Sequence, residues 1–142
     1  MAKNFKNMRD YCQYIRKIFH LSTPIDMFKL ITRFSIPYQN DNSKQDVIYE
    51  NGIMYYDKHL SKSRINFSLA RELAKLLYDN KYTNKIGNEF AAELLMPTNE
   101  FINICLNNPE ENNEISLKKL ANYFFVPVHA VNIRGQVLHL WR

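Results

Sequence analysis

The sequence predicts an α+β fold in a single domain, residues 1–142, with helices arranged around a small and largely antiparallel sheet. Segments with apolar residues at helical spacing lie on both sides of one short β-rich segment. Within that segment Asn51-Gly52 separates two apolar runs, and this dipeptide is the strongest short signal for a hairpin turn. A chain of 142 residues, 46% of them hydrophobic, is long enough to bury one ordinary core.

The part of the chain before the hairpin is predicted to hold two helices and a loop. Apolar residues at helical spacing predict the first helix over residues 7–20. Ser22-Thr23-Pro24 indicates the start of the second, with a capping hydroxyl before a proline in the first turn, and this helix runs through Phe34. An extended segment follows at residues 36–38, and the polar residues 39–46 are predicted to form a loop.

The part after the hairpin is predicted to be helical. Residues 64–78 form an amphipathic helix whose apolar face comprises Ile65, Leu69, Ala70, Leu73, Ala74, Leu76 and Leu77. Residues 85–96 are apolar nearly all round, which predicts a deeply buried helix. The remaining predicted elements are a helix from Pro97-Thr98 through Leu106, a polar loop over residues 107–114, a helix over residues 117–125 capped by Ser116, and a last helix from near Pro127.

Composition and charge exclude several classes of protein. Cys12 and Cys105 lie far apart and form no CxxC motif, so we expect reduced thiols in a cytoplasmic protein. The start of the chain lacks the apolar segment of a signal peptide, and no run approaches the roughly 18–20 apolar residues of a membrane helix. The net charge of +5 is spread along the chain, which permits an acidic or nucleic-acid partner without requiring one. We therefore predict no membrane partner.

The segment Arg71-Glu72-Leu73-Ala74-Lys75 has the frame of a zinc-peptidase helix with other residues at the ligand positions. A working HExxH helix places two histidines one turn apart on one face, with a glutamate beside the first to activate the metal-bound water. Here Arg71 and Lys75 stand at the histidine positions, and only Glu72 has the expected identity. Neither cation offers a free lone pair near neutral pH, so the sequence predicts no zinc.

Three stretches of the chain resemble the ImmA/IrrE family of small metallopeptidases. They are residues 64–75, residues 88–97 and residues 120–131, and the second contains the most specific run, Phe-Ala-Ala-Glu-Leu-Leu-Met-Pro. The resemblance implies a zincin-like α+β fold whose sheet precedes the site helix and offers an edge strand to bound peptide. It also implies a third metal ligand at the position of Ile86, which has no coordinating atom. All three ligand positions therefore differ, and the resemblance implies a fold and not an activity.

These observations favour a catalytically inactive pseudo-metallopeptidase that acts by protein binding, without a cofactor, in a phage or mobile-element regulatory circuit. We expect the partner to be a helix-turn-helix repressor that is held without being cut. Ile86 would extend the apolar stripe of Phe90 and Leu94 in a repacked site, although each cation alone is more typical of a solvated surface. The predicted protein-binding cleft comprises Ile53, Tyr55, Tyr56, Ser68, Arg71, Glu72 and Lys75.

Two other functions stay open at the level of sequence. Residues 116–134 have the pattern of a helix-turn-helix, and a DNA reader would present His129, Asn132 and Arg134 from its second helix. We predict this function to be the weaker one, because Val128, Val131 and Ile133 resemble core anchors. A residual metallopeptidase is the third, but none of the four histidines has ligand spacing to another, and neither cysteine has an activating motif.

Overall fold

A computed structural model describes residues 5–107 and 114–142, and within them the chain forms seven α-helices and one three-stranded sheet. The predicted α+β class is therefore confirmed. In chain order the elements are α1 (Met8–Ile18), α2 (Met27–Arg33), β1 (Tyr38–Asn40), β2 (Ile48–Glu50), β3 (Ile53–Tyr56), α3 (Lys62–Tyr78), α4 (Asn84–Leu95), α5 (Thr98–Asn107), α6 (Glu114–Phe124) and α7 (Val128–Val137), with 3₁₀ turns at Asn42–Lys44 and Asp79–Lys81.

The predicted hairpin is formed by β2 and β3. Asn51 and Gly52 both have positive φ angles, 54° and 80°, which is the backbone that a two-residue hairpin turn of the mirror-image type requires. The sheet is mixed, because β3 pairs antiparallel with β2 but parallel with β1. The strand order is β1-β3-β2, so β3 is the central strand and β1 and β2 are the edges.

Two predicted boundaries before the hairpin are wrong. The second helix begins at Met27 because Asp26 caps it, its Oδ1 accepting the main-chain N–H of Phe28 at 3.0 Å. Thr23, the expected cap, instead donates its hydroxyl to Glu100 Oε1 at 2.7 Å. Residues 39–46 do not form a continuous loop, because they include the end of β1 and a 3₁₀ turn capped by Asp41.

The helices after the hairpin follow the prediction apart from one cap. Ser116 lies inside α6, which begins at Glu114, and therefore does not cap it. The predicted loop over residues 107–114 falls largely outside the described residues. No helix in residues 5–107 and 114–142 is long and apolar enough to cross a membrane.

The core lies where α3 packs against α4, with α1 and α2 alongside. Leu69 and Leu73 of α3 and Phe90 and Leu94 of α4 are completely buried. Leu76, predicted on the apolar face, is 41% exposed, so it does not belong to the buried face of α3. Burial of this kind provides most of the driving force for folding.

Asn66 is a buried polar residue that joins three separate segments. Its Oδ1 accepts the main-chain N–H of Met27 at 2.8 Å, which starts α2 beside α3. Its Nδ2 donates to the carbonyl oxygens of Ile25 at 2.9 Å and Phe125 at 3.1 Å. Two of these hydrogen bonds are buried and the one to Phe125 is partly buried, so this side chain fixes the position of α3 against α2 and against the turn between α6 and α7.

Candidate functional site

The carboxylate of Glu72 lies at the centre of the candidate site. The side chain is only 5% exposed. Its Oε1 accepts the main-chain N–H of Tyr49 at 3.0 Å and the ammonium of Lys75 at 2.6 Å. Its Oε2 lies 3.6 Å from Nε of Arg71. Glu72 therefore forms an ion-paired contact between the middle of α3 and strand β2.

Arg71 and Lys75 lie one helical turn apart, as predicted, yet each pairs with a carboxylate. Nη2 of Arg71 lies 3.4 Å from Oδ2 of Asp46, in the segment before β2, and Nη2 of Arg64 lies 3.9 Å from Oδ1 of the same residue. The repulsion that two neighbouring cations would cause is consequently offset by Asp46 and Glu72. Asp46 belongs to this network and was not singled out by the sequence.

A cleft of about 350 Å³ lies beside these side chains. Three of its eight lining residues are the predicted Arg71, Glu72 and Lys75, and the others are Asp46, Val47, Ile48, Asn84 and Asn88. The cleft is thus bounded by α3, by the segment leading into β2 and by the start of α4. Its walls carry two cations and two carboxylates.

Strand β3 does not offer the peptide-binding edge that the family resemblance implied. Because β3 is the central strand, both of its edges are already paired. Ile53 closes the hairpin opposite Glu50, and Tyr55 pairs with Ile48 while Lys44 lies 4.8 Å from its ring. Four members of the predicted cleft therefore do not line it together with Arg71, Glu72 and Lys75. Two of them are Ile53 and Tyr55. The third, Tyr56, lines a different pocket, and the fourth, Ser68, is 2% exposed.

Tyr82 packs against the cationic side of the site and was missed at the level of sequence. Its hydroxyl is buried and has no hydrogen-bond partner among the described residues. Burial, and then the charge of Glu72, raise its pKa, whereas Arg71 lowers it. Gly87 of α4 makes the contact sterically feasible, because a Cβ there would collide with the Tyr82 ring and with Cγ of Arg71. One of only three glycines in the chain, placed inside a helix, was the available signal.

The residues at the site do not fit a zinc ion. Arg71 and Lys75 offer only protonated nitrogens, and both lone-pair-bearing oxygens of Glu72 face these cations. Ile86 contributes no donor atom and is half-buried, outside the side chains that pack on the core, so its predicted role in the apolar stripe is wrong. Across residues 5–107 and 114–142, no three His, Cys, Asp or Glu side chains come together to hold a metal ion.

The helix-turn-helix candidate loses its main DNA contact in the structure. Arg134 is buried in an ion pair, its Nη2 2.6 Å from Oε2 of Glu93, and its Nε and Nη2 donate to the carbonyl oxygen of Met96. The Asn132 side chain accepts a hydrogen bond from Trp141 Nε1 at 3.1 Å. His129 remains exposed. Arg134 and Asn132 thus have intramolecular partners.

The three apolar residues expected to anchor α7 divide differently. Val131 is completely buried, as predicted. Val128 and Ile133 are 36% and 44% exposed, so they are not core anchors. An exposed apolar front is unsuited to reading the polar edges of bases, and this weakens the DNA-binding interpretation further.

The two cysteines do not provide a nucleophile. Both thiols are free, and Cys12 is buried. Burial raises the pKa of Cys12 to about 12 and also raises the pKa of Cys105. Since the thiolate is the reactive species, a thiol with a raised pKa is a poor nucleophile at neutral pH.

Comparison with known proteins gives one match. Residues 30–135 match the family described as the IrrE N-terminal-like domain, which covers the sheet, α3, α4 and most of α7. No curated protein and no solved structure matches the chain.

Proposed function

Because this chain belongs to the IrrE N-terminal-like domain family, we propose that it is a pseudo-metallopeptidase, a catalytically inactive member that acts by binding a protein. The observation that carries the proposal is the state of Glu72. Its carboxylate is buried and is bonded to Lys75 and to the main chain of Tyr49. A general base needs a free oxygen that faces the group it deprotonates. In Glu72 both hydrogen bonds fall on Oε1, and Oε2 lies 3.6 Å from Nε of Arg71.

The partner is proposed to be a helix-turn-helix repressor in a phage or mobile-element circuit. The support is the cleft beside α3, which Arg71, Glu72 and Lys75 line. The side chains of Arg71 and Lys75 are 24% and 34% exposed, so they present part of their charge to an incoming protein. Asn84 and Asn88 add exposed polar groups at the rim.

Zinc content tests the inactive character of the site. We expect purified protein from zinc-replete expression to carry no stoichiometric zinc by elemental analysis, because the three positions provide no ligand set. A peptide-cleavage assay with and without chelator accompanies it, and we expect no chelator-sensitive cleavage. One zinc per chain would contradict the proposal and revive the residual-peptidase alternative.

Titration against the neighbouring repressor tests the binding surface. The protein encoded beside this chain's gene is titrated by calorimetry against the wild type, Asn88→Arg and Lys17→Glu. Asn88 is an exposed rim residue, so its substitution blocks the cleft without disturbing the ion pairs, and we expect affinity to fall about tenfold or more, ~1.4 kcal/mol.

Lys17→Glu is the control, because Lys17 is an exposed cation of α1 outside the cleft. The two substitutions change the net charge in opposite directions, so an equal loss with both would indicate a general loss of binding-competent protein and contradict the cleft. Undiminished binding by Asn88→Arg would place the interface elsewhere. Salt-sensitive binding of operator DNA by this chain alone would favour the DNA-binding alternative instead.

A further inference from the structure

The two edges of the sheet differ in whether their outward-facing main-chain groups have hydrogen-bond partners. On β2 the main-chain N–H of Tyr49 faces outward, and Glu72 accepts it. At the two ends of β1, the main-chain groups of Pro37 and Asp41 face β3. The carbonyl oxygen of Pro37 accepts the N–H of Met54, and the N–H of Asp41 donates to the carbonyl oxygen of Tyr56. Groups alternate along a strand, so those of Tyr38 and Asn40 face outward.

Strand β1 is also exposed along its length. Tyr38 and Gln39 are exposed and Asn40 is half-buried, and the Tyr38 side chain retains 46% of its accessible surface. An uncovered strand edge accepts an additional extended strand from another chain, with main-chain hydrogen bonds supplying affinity. The edge of β1 is therefore a template for strand addition.

An aromatic pocket of about 470 Å³ lies next to this edge. Tyr38 shares one face of the sheet with Met54, its register partner, and Met54 is completely buried, so this is the face turned towards α3. The ring of Phe28 lies 4.8 Å from that of Tyr38 and 5.1 Å from that of Tyr56. A strand added outside β1 would direct alternate side chains to this face, beside Tyr38, where an aromatic ring meets three others.

The charges around the pocket favour an acidic occupant. Lys58 and Lys62 line it and are exposed. The one lining carboxylate, Asp26, caps α2 through its Oδ1, and the amide of Asn66 is used in the core. The side chains that line this aromatic cavity therefore include two ammonium groups against one carboxylate, and the balance of charge is positive.

We propose that the edge of β1 and the Phe28–Tyr38–Tyr56 pocket form a docking site for an extended acidic peptide segment of a protein partner. The segment pairs with Tyr38 and Asn40 through its main chain. One aromatic side chain enters the pocket, and neighbouring Asp or Glu side chains contact Lys58 and Lys62. This site is separate from the proposed repressor cleft, because the two share no lining residue.

A displayed heptapeptide library tests the site with the intact protein. The library is selected on the wild type and on the Lys58→Glu/Lys62→Glu variant, which alters two exposed side chains only. We expect enrichment on the wild type of peptides that carry an aromatic residue within two positions of Asp or Glu. Lys17→Glu, the matched control, should enrich the same sequences. Equal enrichment on the double variant, or none on either, would overturn the proposal.

N-methylation of an enriched peptide tests strand pairing without changing the protein. Methyl groups on the amides that face β1 should weaken binding by about tenfold or more, whereas the same number on the alternate amides should change it little. When the unmethylated peptide is added, the largest NMR chemical-shift changes of the protein should lie at Tyr38 and Tyr56. Equal effects of both isomers would exclude strand addition. Shifts at Tyr38 and Tyr56 with adenosine monophosphate but not with peptide would replace the peptide by a nucleotide and overturn the proposal.

Discussion

The Arg134→Met variant offers the most informative test of the structure, because it separates a folding role from a DNA-binding role. Arg134 and Glu93 are paired at 2.6 Å, with side-chain exposures of 6% and 10%. Removing one partner of a buried pair leaves an uncompensated charge and typically costs ~3–5 kcal/mol. For a domain of this size the total stability is about 5–15 kcal/mol. The variant should therefore lose about a fifth of its stability or more.

Urea unfolding monitored by circular dichroism, with fluorescence of the single Trp141 as a second probe, measures this loss. In a separate thermal unfolding experiment, we expect the midpoint temperature of the variant to lie about 10–15 °C below that of the wild type. The double variant Glu93→Met/Arg134→Met removes both charges and should recover much of the loss, since apolar replacement of a buried pair is often neutral. A loss below about 1 kcal/mol in Arg134→Met would refute the buried pair and return Arg134 to the surface.

Three further outcomes are expected. Asn66→Leu should destabilise the protein by ~2–5 kcal/mol in urea unfolding, because it leaves the N–H of Met27 and two carbonyls unpaired. Tyr82→Phe should be neutral or stabilising in the same assay, since its buried hydroxyl has no partner among the described residues, and a clear loss would reveal a hidden hydrogen bond. Folding raises the pKa of Cys12 from 9.0 to about 12, so its contribution to the free energy of unfolding is complete below pH 9 and is lost as pH rises towards 12. Between these values the free energy of unfolding should fall by at most ~1.4 kcal/mol per pH unit on account of this group. The fall should be smaller in Cys12→Val.

The parts of the fold that local sequence determines were predictable. Asn51-Gly52 fixed the hairpin because positive φ at both positions suits only a few residue types. The long helix α3 and the buried helix α4 followed from apolar spacing over three or more turns. The start of α2 was misassigned because two capping signals, Thr23 and Asp26, lie close together, and only tertiary contacts choose between them.

The partners of charged residues were not predictable from sequence. Arg134 lies far from Glu93 along the chain, and nothing in either neighbourhood distinguishes an arginine that reads DNA from one that neutralises a buried carboxylate. The parallel pairing of β1 with β3 could not be predicted from the sequence either, because it joins segments that only the whole fold brings together. Three of the seven predicted cleft residues line the cleft, and these are adjacent or one turn apart on α3, whereas Ser68 of the same helix is buried.

The hydrogen bonds of Asn66 also bear on where an expressible fragment can be cut. Two of its three partner atoms belong to Ile25 and Met27, which precede the first residue of the matched family segment, 30–135. A fragment trimmed to those limits would retain the buried amide with only the carbonyl of Phe125 to satisfy it. The cooperative folding unit therefore extends further towards the N-terminus than the matched segment, and shorter fragments should begin before Ile25.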